Sequence, residues 1–350
     1  MFFDSFRAAV ARLPAGLLRP GPPASEQAIA AARRALAAPV PDAYWRFLRS
    51  FDGVDLFHES IVVAGVDAAA ARSLLDLSTR SGDGDGDDPA VTFAESIGGD
   101  RFVFDDQRVV RLRAGSDERW LTGSSFESWL AAVIAHDEIL YGADGEFAHD
   151  VFEPGGRELL PRAALRQAER ALRLDRGSAE WEHERGTALR RLGRTSEAAA
   201  SFARAAELHA GNPWPWFDLG RCELRAQAPA RALYAFRRAA ESESGATGAR
   251  LWAWAARAAQ QARDPAALSS ARERALEHDP SLATSLRRSI DAAMADQDPE
   301  AASEATALLA ALDPRQPAPH HRLPVLRPDA RPDPRLPAPR PRPPHRRPKP

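Results

Sequence analysis

The chain has 350 residues, 44% of them hydrophobic, with a formal net charge of −2 and a single cysteine. That length suits two folded units better than one, and the hydrophobic share is ample for real cores. One thiol, Cys222, excludes an internal disulfide framework and a thiolate metal cluster, and no run approaches the roughly 18 apolar residues of a membrane span.

The near-neutral total conceals a split. Residues 315–350 hold ten Lys and Arg against two Asp, a net of +8, which leaves −10 on residues 1–314. An acidic body argues against nucleic acid as the ligand of the folded part. The opening residues, Met1-Phe2-Phe3-Asp4-Ser5-Phe6-Arg7, carry an acid where a secretory signal has positive charge, so the expected location is cytoplasmic.

Residues 1–150 read as an α+β unit. After Pro20-Gly21-Pro22-Pro23, Ser25 is placed to cap a helix running to Ala38, which Pro39 and Pro41 end. Asp42 opens a second helix, Ala43 to Phe51, closed by Gly53. Ile61-Val62-Val63-Ala64-Gly65 reads as a buried strand. Phe102-Val103-Phe104 and Val109-Val110-Arg111-Leu112 read as a hairpin across Asp105-Asp106-Gln107. Ser124 or Ser125 then caps a helix with Phe126, Trp129, Leu130, Val133 and Ile134 on one face. The sum is an antiparallel sheet with flanking helices. Between the strands, Ser81-Gly82-Asp83-Gly84-Asp85-Gly86-Asp87-Asp88 invites a calcium-loop reading. Counted from Asp83, however, the required turn glycine falls on Asp88 and the bidentate glutamate on Ala94. A solvated acidic loop is the better reading.

Pro154-Gly155-Gly156 marks a boundary, and residues 158–314 read as helix throughout. Here Gly186 and Gly220, Ala198 and Ala232, Phe202 and Phe236, and Ala205 and Ala239 are each separated by 34 residues. Small residues in fixed places let one helix lie close to the next, and the aromatic fills the hole between them. Ala164, Ala168 and Ala171 occupy the second-helix columns one step earlier, so the array opens with a half repeat. Two residues are inserted within 243–248, after which Trp252 and Ala256 take the places of Trp216 and Gly220. Pro280 and Pro314 are again 34 apart and end the third and fourth units.

These residues resemble a tetratricopeptide-repeat array, a half repeat plus about four units, the last degenerate and fit for a capping hairpin. The resemblance implies an extended scaffold whose first helices line a concave wall that binds other chains. The inward columns hold His183, Thr187, Arg190 and Arg191, then Trp214, Phe217, Arg221, Leu224 and Arg225, then Arg250, Arg257, Gln260 and Gln261. Arginine forks beside aromatics suit an acidic or C-terminal peptide. The plainer alternative is that every helix needs a polar face.

A second resemblance covers residues 24–140. Val40-Pro41-Asp42-Ala43-Tyr44-Trp45-Arg46-Phe47-Leu48, then Asp52-Gly53, then the stretch from Phe93 through Gly98-Gly99-Asp100 to Phe104, and Ser125-Phe126-Glu127-Ser128-Trp129-Leu130 are similar to the SUKH superfamily. Tyr44, Phe47 and Leu48 share a helical face and belong to the core. Gly53 is expected to stop the helix and Gly99 to permit a tight approach. The resemblance implies binding of partner proteins, with toxin-neutralising immunity proteins among bacterial members, and it carries no catalytic residue set.

The sequence contains no HExxH, nucleophile elbow, phosphate loop or dinucleotide fingerprint. Gly98-Gly99-Asp100 precedes a strand, so it aims no helix amides at a phosphate. His136-Asp137-Glu138 places neighbours in different directions on a helix and reads as solvated surface. Glu182-His183-Glu184 fails as a metal site by the same geometry. Cys222 reads as a small buried core residue. From Arg315 onward, prolines too frequent for a helix predict a disordered, extended basic tail, whose arginines suit anionic surfaces such as nucleic acid or lipid headgroups.

The expectation is a cytoplasmic, non-enzymatic interaction adaptor without metal or cofactor. In its finer form this is an immunity-type protein whose SUKH-like domain binds a toxin while the groove holds a peptide or second protein. The alternative is a regulator that reaches nucleic acid or the cell envelope through its tail.

Overall fold

A computed structural model describes residues 2–36, 38–67, 70, 72–80, 90–156 and 158–313. The acidic loop at 81–88 and the tail at 315–350 lie outside the described residues. The chain begins with α1 (Phe2–Arg12), β1 (Leu18–Pro20), α2 (Glu26–Ala35) and α3 (Asp42–Leu48). Ser25 caps α2 as expected, its hydroxyl accepting the Ala28 N–H at 3.2 Å. The helix ends at Ala35 rather than Ala38, because Leu36 is already extended. The helix expected over 43–51 is shorter at its C-terminal end, and its cap is Pro41, not Asp42. Gly53 lies beyond that helix with φ +81°, and a Cβ there would meet the Val63 carbonyl oxygen at 2.6 Å. It therefore serves a close approach of two strands, not the helix stop.

Six further strands follow: β2 (Val54–Leu56), β3 (Ile61–Val63), β4 (Thr92–Ser96), β5 (Arg101–Asp105), β6 (Arg108–Leu112) and β7 (Arg119–Gly123), with α4 (Leu74–Arg80) between β3 and β4. All seven strands form one antiparallel meander in sequence order. The hairpin at 105–107 is as expected, with Asp106 at φ 54° supplying the left-handed turn position. Gly99 serves its positive φ of 82°; a Cβ there would make only an ordinary 3.5 Å contact.

The inner face of the sheet is aromatic. Tyr44 is fully buried, donates to the Ala64 carbonyl at 2.6 Å, and meets Phe93, Phe104 and Phe126 with ring centroids 5.0–5.7 Å apart. Helix α5 (Phe126–Asp137) closes that face, started by a capping box between Ser125 and Ser128. Each of the five apolar residues expected on its core side is buried.

The rest is a tetratricopeptide-type stack: α6 (Pro161–Leu174), α7 (Ala179–Arg191), α8 (Thr195–Leu208), α9 (Pro213–Arg225), α10 (Pro229–Glu241), α11 (Gly245–Ala262), α12 (Pro265–His278), α13 (Leu282–Ala295) and α14 (Pro299–Leu312). The columns of the sequence do what their sizes require. Phe202 and Phe236 are fully buried, and a Cβ on Gly186 or Gly220 would sit 2.7 or 2.6 Å from their rings.

Two features depart from a simple row of repeats. The half repeat is completed by α5, which packs along α6 where a first helix belongs. One hydrophobic core therefore runs from Phe126 and Trp129 to Ala171, Leu172 and Trp181. At the other end the fourth hairpin does not extend the row. Helix α14 turns back and lies along α11, and Arg272 of α12 donates to the Ala311 carbonyl at 2.6 Å, in the last turn of α14.

Candidate protein-binding groove

The sheet's outer face docks on the array. Val103, Val110 and Leu121 pack against Ala179 with Leu208 beside them, and the Asn212 side chain donates to the Arg119 carbonyl at 2.9 Å. Arg111, on the other face of β6 and over the Phe102 ring, makes a second contact with the array. Its guanidinium reaches Glu180 of α7 at 2.6 Å and holds Asp100 through Nε at 2.8 Å. Burial opposes the Arg111 charge, and Glu180 and Asp100 outweigh it, so its pKa is raised.

The reading of His136-Asp137-Glu138 as solvated surface is corrected here. The His136 ring lies over Trp181 at 4.3 Å and hydrogen bonds to Asp137 at 2.6 Å and to Glu184 of α7 at 3.0 Å. Glu138 bonds to Arg170 of α6 at 2.6 Å. Apart from Asp137, a single helix in isolation shows none of these partners, which lie 32–48 residues further along the chain. Burial alone would lower the His136 pKa; the Glu184 and Asp137 carboxylates prevail and raise it to about 10.

A raised histidine pKa stabilises the fold fully below 6.5 and loses that contribution as pH climbs through about 10. The chain is therefore expected to soften to urea between pH 6.5 and 10. A His136→Ala variant, about 1–3 kcal/mol less stable at neutral pH, should lose less over that range. Urea unfolding followed by circular dichroism at both pH values checks it.

The inner surface of the array differs from the expected open wall. His183 is half-buried, bonded to Asp218 at 3.0 Å and covered by Trp120 of β7 at 4.8 Å, so it is structural at this end. Burial works against the Asp218 carboxylate, but the His183 hydrogen bond, with Arg190 and Arg221 near, holds its pKa below the usual range. Arg191 turns to the linker, where it pairs with Glu153 at 2.5 Å and Glu158 at 3.3 Å. It does not face the groove. Arg250 is exposed, and Thr187, Arg190 and Gln260 are half-buried.

Four of the remaining expected residues, Trp214, Phe217, Arg221 and Arg257, converge. Trp214 meets Phe217 edge to face at 6.1 Å, and Phe217 meets Trp254 at 5.5 Å. Arg221 lies over both Phe217 and Trp254, at 5.7 and 5.9 Å, and Arg257 lies over Trp254 at 4.9 Å. All but Trp254, which is buried, are half-buried. Facing them is α14: Glu304 stands 3.7 Å from Arg221, and Glu300 stands 3.9 Å from Arg225. Burial lowers the pKa of Arg257, and Glu304 only partly offsets this.

Three participants were missed from the sequence. Trp254 lies one turn before Arg257, an i, i+3 relation that was available. Glu300 and Glu304, an i, i+4 acid pair on an alanine-rich helix, were also readable as a face. Their destination was not. Among the described residues, no group of three or more His, Cys, Asp and Glu side chains gathers as a metal site, and no helix is long and apolar enough to cross a membrane.

The fold and groove together define an α+β sheet unit joined to a tetratricopeptide-type solenoid. No protein family matches the chain, and no curated protein matches it. Solved structures do. MamA is 15% identical over 43% of this chain and 88% of its own, with a TM-score of 0.33. YrrB, described as a TPR protein with an unusual peptide-binding site, is 22% identical over 45% and 79%, with a TM-score of 0.31. PilF of Pseudomonas aeruginosa is 19% identical over 54% and 75%, also at 0.31.

Proposed function

We propose that the chain is a non-enzymatic, cytoplasmic adaptor that binds a polypeptide on the inner surface of its helical array. The observation that supports this reading is the cluster of Phe217, Trp254, Arg221 and Arg257. A partly open aromatic floor carrying arginines offers stacking and forked hydrogen bonds together, which suits a chain bearing carboxylates. The sheet unit, on its SUKH-like residues, is a second docking surface in this reading, and an immunity-type role would place a toxin there.

Affinity capture with the full chain and with an Arg221→Glu/Arg257→Glu variant tests the groove. A stoichiometric polypeptide retained by the parent and lost from the variant is expected. Equal capture by both would remove the groove from the reading and leave the sheet unit as the binding surface.

A further inference from the structure

The inner surface is not vacant in this chain, because α14 lies in it. Along α14, Glu300, Glu304, Leu308 and Ala311 fall on one stripe at helical spacing. The two acids face Arg225 and Arg221, while Leu308, Leu309 and Leu312 join the core beneath α11. The chemistry changes along the helix. Its first turns are largely exposed, with Ala302 and Ala305 buried and the two acids set towards the arginines, and its last turns are buried and held by leucines.

The charged half is a loose fit. Both ion pairs are long, and pairs of that exposure contribute about 0–1 kcal/mol each. Three arginines, Arg221, Arg225 and Arg257, meet only two carboxylates from α14. The turn into α14 is short, with Gln297 in the left-handed position that Gly193, Gln227 and Arg263 fill in the other hairpins, and the Asp298 carboxylate caps the Glu300 and Ala301 N–H groups. The third unit is modified to receive this helix. Arg272 stands in the column that Phe202 and Phe236 fill elsewhere, counting the two-residue insertion, and it is the residue that holds the Ala311 carbonyl.

We propose that α14 is a built-in occupant of the partner site, and that the groove's external ligand is an acidic amphipathic helix. That helix would carry two carboxylates one turn apart, followed by leucines, and would displace α14 by presenting the same chemistry with more negative charge. The proposal rests on the adaptor reading and specifies the partner that reading leaves open.

The probe is a labelled synthetic peptide with the sequence of residues 298–313, titrated against the full-length chain. In the parent, the tethered helix competes at an effective concentration of roughly millimolar, so binding is expected to be weak. In a Glu304→Lys/Leu308→Lys variant, which loosens α14 but leaves α9 and α11 intact, the peptide should bind at least about tenfold tighter. That gain should disappear when Arg221→Glu and Arg257→Glu are added, and a peptide with both glutamates replaced by lysine should not bind. No gain, or a gain that survives the arginine substitutions, overturns the proposal. So does a concentration-dependent dimer of the loosened variant in light scattering, since the occupant would then be a second copy of the chain.

If the loosened variant does not fold, hydrogen exchange in the parent with excess peptide decides. Residues 299–312 should exchange faster while α9 and α11 are protected, and unchanged exchange refutes the idea. Peptide binding without any captured polypeptide in the affinity experiment would sink the adaptor reading alone. Capture without peptide binding would sink only the acidic helix.

Discussion

Replacing Arg111 with alanine is expected to destabilise the folded chain by about 3–5 kcal/mol, the usual cost of removing one partner from a buried ion pair. The guanidinium is three-quarters covered, and the two carboxylates it holds are more buried still, at 13% exposed for Asp100 and 9% for Glu180. Without it those like charges face one another in a site that water reaches poorly. One Glu180 oxygen already lacks a partner. Arg111→Lys should recover part of the loss, because it restores the charge but not the fork that spans both acids.

The pH dependence gives a second readout. Burial raises the Asp100 pKa, but the Ala114 N–H and Arg111 outweigh it and hold it below its ordinary 3.8. The stability this supplies is present above that value and lost as pH falls through the lowered one. The gap between parent and Arg111→Ala in urea should therefore narrow on acidification from pH 6 to 3. A gap that stays constant would show that the Asp100 charge plays no part.

The second large effect is expected in the repeat interior. Phe236 is fully buried, with Phe217 and Trp254 at 5.8 and 5.2 Å, and Phe236→Ala should cost about 3–5 kcal/mol. The glycine opposite supplies a sharper test. A methyl group on Gly220 would lie 2.6–2.8 Å from the Phe236 ring, so Gly220→Ala should destabilise the parent by about 1–3 kcal/mol through overpacking. In the Phe236→Ala background the same methyl group enters free space, and alanine's helix preference should then stabilise by up to about 1 kcal/mol. The sign reverses. The chain has made this exchange itself in the third unit, where Ala256 replaces the glycine and the aromatic column holds Arg272. A double-mutant cycle by denaturant unfolding checks it, and equal costs in both backgrounds would contradict the packing account.

What was legible in the sequence follows from range. The 34-residue columns announced the hairpins because each glycine and its aromatic meet within one repeat. Ser25 and Ser125 announced their helices because a cap acts over three residues. Strands β1 and β2, three residues each, carry too little alternation to register, and they exist because neighbours on the sheet bond to them. The least legible features join distant segments. His136 meets Glu184 48 residues on, and α5 serves as the missing first helix of the half repeat without sharing its columns. Helix α14 follows the period in its length and its prolines, yet leaves the row. Proline positions limit where a helix ends but carry no information about the side on which the next hairpin packs.

A photoreactive benzoylphenylalanine at position 217, in the full-length chain in its native cells, tests the account most directly. Phe217 is half-buried between Trp214, Trp254 and Arg221, where an incoming polypeptide would touch it. On irradiation a covalent adduct with a second polypeptide is predicted, and it should vanish with Arg221→Glu/Arg257→Glu. Crosslinks confined to residues 299–312 of the same chain, with no second polypeptide attached, would contradict the claim that this surface receives a partner.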